Sequence, residues 1–179
     1  VRVENSLSYF PSPRNSVKSV SYWPNNGVRK YFNIWIIDEI ESNSDGSYVA
    51  GYAQFPGDND NGTYGAVMVD QSIGFNERTL THELGHCLSL YHTFNYATND
   101  CSNPNDYCSD TPRQDQAYTS ECNYAQNTCS SIEADYASDV VDQIENYMSY
   151  ANCQNMFSLD QKVRIESILS NTNINSGLA

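Results

Sequence analysis

All three histidines of the 179-residue chain fall within eleven positions, in His82-Glu-Leu-Gly-His86-Cys-Leu-Ser-Leu-Tyr-His92. On a helix, His82 and His86 lie one turn apart on the same face, about 5 to 6 Å from each other, close enough for two imidazoles to share a zinc ion. Glu83, the next residue round, reaches a water on such a metal without being a ligand, as a general base must. With so few histidines, a chance HExxH has a probability on the order of a few in a thousand, which favours mechanism over two ordinary surface histidines. A structural zinc site closes its tetrahedron with four protein ligands, whereas a hydrolytic site keeps one position for water. Three histidines are all this chain has. One catalytic Zn2+ is therefore the expected cofactor.

His92 reaches that metal only if the helix stops first. On an unbroken helix it would sit about 280° round from His82 and about 9 Å past His86. A sharp turn near Ser89 would let the chain double back and present it. If the helix runs on, His92 is a solvated surface residue and the third ligand comes from a later glutamate. Glu121, Glu133 and Glu145 are available, although none stands in an obvious long helix.

The elements that must position these residues can be read from periodicity and punctuation. Glu77 to Leu90 carries Leu80, Leu84, Cys87 and Leu88 at helical spacing and reads as one amphipathic helix packed on a sheet. Tyr31 to Ile40 is rich in aromatic and β-branched residues, bounded by Gly27 and the Asn43 to Gly46 turn signal, and reads as a buried strand. Gly51 to Phe55 and Ala66 to Asp70 read as two more. Between them, the run 57–62 (GDNDNG) starts like a calcium-binding loop, but its glycine is one place early and no helices flank it, so it reads as a polar turn. Asn61-Gly62-Thr63 is also a glycosylation sequon. Residues 1–30 are polar, broken by Pro11, Pro13 and Pro24, and should be irregular. Residues 95–145 are loop-rich and hold four of the six cysteines. Near the end, Ser158-Leu-Asp-Gln161 has capping-box form before Val163, Ile165, Ile168 and Leu169, which marks a closing helix.

Composition bounds the partners. The chain is 39% hydrophobic and 12% aromatic, enough apolar side chain to build a core. Nine Lys plus Arg against 22 Asp plus Glu give a formal net charge of -13, the wrong sign for binding nucleic acid or an anionic membrane surface. The longest apolar runs are four residues, far short of the roughly 20 that span a bilayer. Six cysteines with no CxxC pair read as disulfides, and hence as a secreted, extracellular protein; the alternative is buried free thiols in the cytosol.

The HExxH run continued to His92 resembles the HExxHxxGxxH signature of the metzincin metallopeptidases, with Ser89 where the family has glycine. The family's backbone takes a positive φ there, which a serine adopts at a cost of about 1 kcal/mol. Within the metzincins the chain is similar to the pappalysin family over most of its length. Tyr31-Phe-Asn-Ile-Trp, Gly51-Tyr-Ala-Gln-Phe-Pro, Leu90-Tyr-His-Thr-Phe, Asp110-Thr-Pro, Asn146-Tyr-Met-Ser-Tyr150 and Met156-Phe-Ser-Leu-Asp-Gln161 with Arg164 stand in that family's order.

The resemblance implies an α/β, metzincin-like catalytic domain over residues 1–179. A twisted mixed sheet and the active-site helix would form an upper lobe, 1–89. A loop-rich, disulfide-stapled lower lobe, 90–179, would end in the C-terminal helix. It implies that His82, His86 and His92 bind the catalytic zinc and that Glu83 polarises the water. Met148 becomes the Met-turn residue beneath the metal, and Tyr150 a tyrosine that hydrogen-bonds the tetrahedral intermediate. Their bland alternatives are a core methionine and a buried aromatic with a satisfied hydroxyl. Gly51, Tyr52, Ala53 and Gln54 would form the cleft-rim strand on which a protein or peptide substrate adds by β-pairing, against an ordinary covered edge. Asp106, Asp110 and Thr111 become candidate ligands for a structural Ca2+, against a merely solvated acidic loop.

The family pattern pairs Cys101 with Cys129 and Cys122 with Cys153, leaving Cys87 and Cys108 to form a third bridge or stay free. Asn152 stands where an acidic residue favours Arg or Lys after the cleaved bond, so basic specificity is unsupported. Nothing in residues 1–30 looks like the strand and long backing helix that open the family's catalytic lobe. A pro-segment, or a separate N-terminal segment of the same precursor that completes the lobe, is therefore an expected partner. The leading function is a secreted zinc endopeptidase. The rivals are a non-catalytic, disulfide-stapled binding module on the same fold and a metal-dependent hydrolase of non-peptide amides. Glu83 separates the first two, because it binds no metal and serves only chemistry.

Overall fold

The computed structural model describes residues 17–18, 31–43, 46–56, 63–74, 76–94, 101, 106–115, 122–129, 136 and 138–171. The polar run 57–62, most of 1–30, and Glu121 and Glu133 lie outside these residues. The chain divides into two compact units, 1–89 with 167–179, and 90–166.

The first unit holds a mixed three-stranded sheet. Strand β1 is Asn33–Ile37, β2 is Gly51–Ala53 and β3 is Gly65–Val69, in the order β1-β3-β2. β1 runs parallel to β3 with Trp35 opposite Val67, and β2 runs antiparallel to β3 with Tyr52 opposite Val67. β3 is buried along its whole length, as a central strand covered on both faces must be. One face packs Trp35, Val67 and Val69 with Val17, Ile40 and Val49. On the other, helix α1 (Thr79–Cys87) packs against β2 and β3.

Two glycines make these contacts possible. A Cβ at Gly65 would lie 1.9 Å from the Asn33 carbonyl oxygen, and the residue sits at φ +137°. At Gly51 a Cβ would meet Met68 Sδ at 2.9 Å and Glu83 Cγ at 3.3 Å. β2 thus lies directly against the helix turn that carries Glu83.

Two boundaries differ from expectation. β1 is not wholly buried: Asn33 and Trp35 face inward, but Ile34 is 42% and Ile36 is 59% exposed. Among the described residues β1 stands at one end of the sheet order, and α1 packs chiefly on β2 and β3. A run of apolar residues cannot say how many of its faces are covered. The active-site helix is also shorter than the apolar spacing indicates, ending at Cys87 rather than Leu90.

The second unit is loop-rich. The disulfides Cys101–Cys129 and Cys122–Cys153 close loops of 28 and 31 residues, each worth about 3 to 4 kcal/mol on the chain-entropy account. Both pairings agree with those the resemblance implied. Cys87 and Cys108 are buried and stand outside both disulfides. Polar side chains replace much of the core here. Asp142, only 3% exposed, accepts from Thr128 N, Thr128 Oγ1 and Gln126 Nε2. The closing helix α2 spans Leu159–Ser170. Its capping box is formed: Gln161 N donates to Ser158 Oγ at 3.2 Å and Ser158 N donates to Gln161 Oε1 at 3.0 Å.

Candidate metal centre and active site

Helix α1 places His82 and His86 on one face, with ring centroids 4.8 Å apart and rings nearly perpendicular. The helix then ends abruptly. Leu88 N donates back to the Leu84 and Gly85 carbonyls, and Ser89 N to His86 O at 3.0 Å. The Cys87 carbonyl is taken by Tyr64 Oη at 2.6 Å. Ser89 itself sits at φ 72°, in the left-handed conformation expected at this position. This bend turns the chain so that one nitrogen from each of His82, His86 and His92 lies within 4.8 Å of the others. Tetrahedral Zn–N bonds of about 2.0 to 2.1 Å set nitrogens roughly 3.3 Å apart, a separation reached by small side-chain rotations. The triad is compatible with zinc binding. His82 and His86 are buried and His92 is half-buried.

Glu83 is 6% exposed, and burial pushes its carboxyl up to about 8. A divalent cation nearby favours the ionised form, so metal binding and deprotonation at Glu83 are linked.

Aromatic rings buttress the imidazoles. Phe55 lies 5.2 Å from His86, tilted by 39°. Phe94 stacks on His92 at 4.7 Å and 13°. Tyr150 meets His92 edge-on at 5.1 Å and Phe94 at 4.9 Å. Met148, fully buried, accepts from Thr93 N at its carbonyl and donates its N–H to Asn146 Oδ1 at 2.9 Å. Asn146 is held in turn by Gln161 through two amide hydrogen bonds of 2.8 and 3.1 Å. The capping residue of α2 thereby also fixes the turn that carries Met148.

Gly51, Tyr52 and Ala53 lie in β2, at one end of the three-stranded order among the described residues, and Gln54 N extends the pairing to Gly65 O at 3.1 Å. Asp106, Asp110 and Thr111 gather in one turn. Asp106 Oδ1 accepts from Thr111 Oγ1 at 2.7 Å and Cys108 N at 3.0 Å, and Asp110 Oδ2 accepts from Asp160 N at the start of α2. Asp106 Oδ2 and Asp110 Oδ1 are buried without a hydrogen-bond partner. Burial, with the Asp110 charge adding, pushes the Asp106 carboxyl up to about 6, against the lowering effect of its hydrogen bonds. Two inward carboxylate oxygens with no donor fit a hard cation.

Sequence reasoning placed Phe55 only at the end of the cleft-rim strand and gave no individual role to Phe94, Gln114 or Asn146. The available signals were that Phe94 stands two places after a candidate ligand and that Phe94 and Asn146 lie in blocks that carry the family resemblance.

An α/β sheet with an HExxH helix broken before a third histidine defines a metzincin-type metallopeptidase fold. Residues 14–170 match the model of the Peptidase_M43 family, described as pregnancy-associated plasma protein-A, and the chain belongs to this pappalysin family. It resembles mature mirolysin of Tannerella forsythia, solved in complex with a cleaved peptide, with a TM-score of 0.75 and 26% identity, over 94% of this chain and 64% of that one. Among curated proteins, it is 38% identical over 93 residues to extracellular metalloprotease 1 of Coccidioides posadasii, covering 51% of this chain and 30% of that protein. It is 31% identical over 155 residues to an extracellular metalloprotease of Podospora anserina, covering 79% and 47%. The chain thus spans less than half the length of these two curated relatives.

Proposed function

We propose that this chain, as a single catalytic domain, is a secreted zinc endopeptidase that hydrolyses internal peptide bonds of protein substrates. The observation that carries the reading is the convergence of His82, His86 and His92 within 4.8 Å, with Glu83 between the first two on the same helix. The three imidazoles hold the ion. Zinc held there would supply Lewis acidity and acidify water at neutral pH.

The chain's own groups do the rest. Glu83 takes the proton of the attacking water and passes it to the leaving nitrogen. Tyr150, packed on His92, donates its hydroxyl to the developing oxyanion. Met148 floors the centre. The β2 segment, Gly51 to Gln54, which ends the sheet order among the described residues, pairs with an extended substrate backbone. Asp106, Asp110 and Thr111 bind a structural Ca2+, a reading supported by the two orphaned carboxylate oxygens. Export to an oxidising compartment accords with the two disulfides and with relatives named extracellular metalloproteases. A pro-segment of the same precursor is a further partner; promirolysin is among the similar structures.

Gelatin hydrolysis with and without a zinc chelator, together with Glu83→Ala, tests the mechanism. Both the chelator and the substitution are expected to abolish cleavage. Activity surviving in Glu83→Ala overturns it.

A further inference from the structure

We propose that Phe94 is a positioning residue that sets the affinity of the centre for zinc, by holding His92 in place and by presenting its ring face to the metal-bound imidazole. This rests on the zinc reading above.

Phe94 is 3% exposed and its ring lies 4.7 Å from that of His92 at 13°, a parallel stack. The contacts of Phe55 with His86, of His82 with His86 and of Tyr150 with His92 are tilted or edge-on. Tyr150 closes the group by meeting both rings edge-on, at 5.1 and 4.9 Å. An aromatic packed flat on one side and another packed edge-on leave His92 little rotamer freedom.

Phe94 is itself anchored. It bridges Gln114 through the backbone, Thr93 Oγ1 donates to the fully buried Gln114 Oε1 at 3.2 Å, and Thr93 N donates to Met148 O at 3.2 Å. The position of Phe94 is therefore held by the surrounding chain as well as by the stack.

The chemistry follows from the ring quadrupole. Coordination to a dication withdraws electron density from the imidazole, and the phenyl face beneath it is electron-rich. Stacking then stabilises the metal-bound ring more than the free one, which raises zinc affinity.

Two variants of the whole chain test this, with zinc affinity read by competition with a chelator and ligand geometry by the d–d spectrum of the cobalt(II) form. Phe94→Leu keeps apolar volume but loses the ring. Replacement of Phe94 by pentafluorophenylalanine keeps the shape and reverses the sign of the ring face. Each is expected to weaken zinc binding about fivefold, the equivalent of a mid-range aromatic contact, and Phe94→Leu to shift the cobalt spectrum. If the unsubstituted chain binds zinc tightly and the fluorinated protein binds it within twofold, the proposal is overturned while the zinc reading stands. If the unsubstituted chain binds no zinc, the zinc reading itself fails, and this inference with it.

Discussion

The bend at Ser89 makes a quantitative test possible. At φ 72° an L-residue is disfavoured by about 1 to 2 kcal/mol, because Cβ approaches the following carbonyl. Ser89→Gly removes that cost, while the greater freedom of glycine in the unfolded chain returns about 0.5 to 1 kcal/mol. The net expectation is a gain of roughly 0.5 to 1 kcal/mol, a rise in Tm of about 2 °C for a chain of this size. Ser89→Val acts in the opposite sense, since a β-branched residue is a severe outlier in this region. It should lose about 1 kcal/mol or more. Where the strained turn relaxes without metal, that strain appears as weaker zinc binding, up to about fivefold for 1 kcal/mol. Urea unfolding and chelator competition on the three proteins measure both effects. A glycine variant less stable than the parent, or a valine variant equal to it in both stability and zinc affinity, refutes the reasoning.

Other perturbations have clear expected outcomes. Gly65→Ala puts a methyl 1.9 Å from the Asn33 carbonyl oxygen at φ +137°, and should abolish soluble folded protein, as read by circular dichroism and size-exclusion. Gln161→Leu removes the reciprocal capping bond and both bonds to Asn146. It should cost about 1 to 3 kcal/mol in urea unfolding, because the buried Ser158 N–H loses its acceptor while Asn146 keeps only Gln143 Oε1 and Met148 N. Lys18, 2% exposed between Trp35 and Tyr52, is lowered from 10.5 to about 8, chiefly by burial, with nearby Cys87 acting the other way. Between about pH 8 and 10.5 the unfolded chain then binds more protons than the folded one, so stability rises with pH across that window. Lys18→Met should remove the rise in a pH series of thermal melts. Calcium should raise the Tm of the parent and leave that of Asp106→Ala unmoved.

Chemistry carried by neighbours in sequence could be read without a structure. HExxH is a one-turn relation on a helix, and the Ser158–Gln161 capping box is another. Both formed as their spacing requires, since local geometry alone decides them. The break after Cys87 was legible as a condition for His92 to be a ligand, because an unbroken helix carries His92 away from the metal. Its execution depends on more distant partners, among them Tyr64, whose hydroxyl takes the last helix carbonyl. The exposure of Ile34 and Ile36 was not legible, because a run of apolar residues has the same pattern whether one face is covered or two.

What the amino-acid order determined by itself is the set of reactive groups and the local turns that aim them: three imidazoles, one carboxyl and a bend. Only the tertiary structure decided what stands behind them. Phe94 lies flat on His92, Gln161 grips Asn146 from fifteen residues away, and two aspartates turn orphaned oxygens inward. These contacts depend on where loops come to rest in space, and loop paths follow from the packing of the whole chain, which no short window of sequence contains.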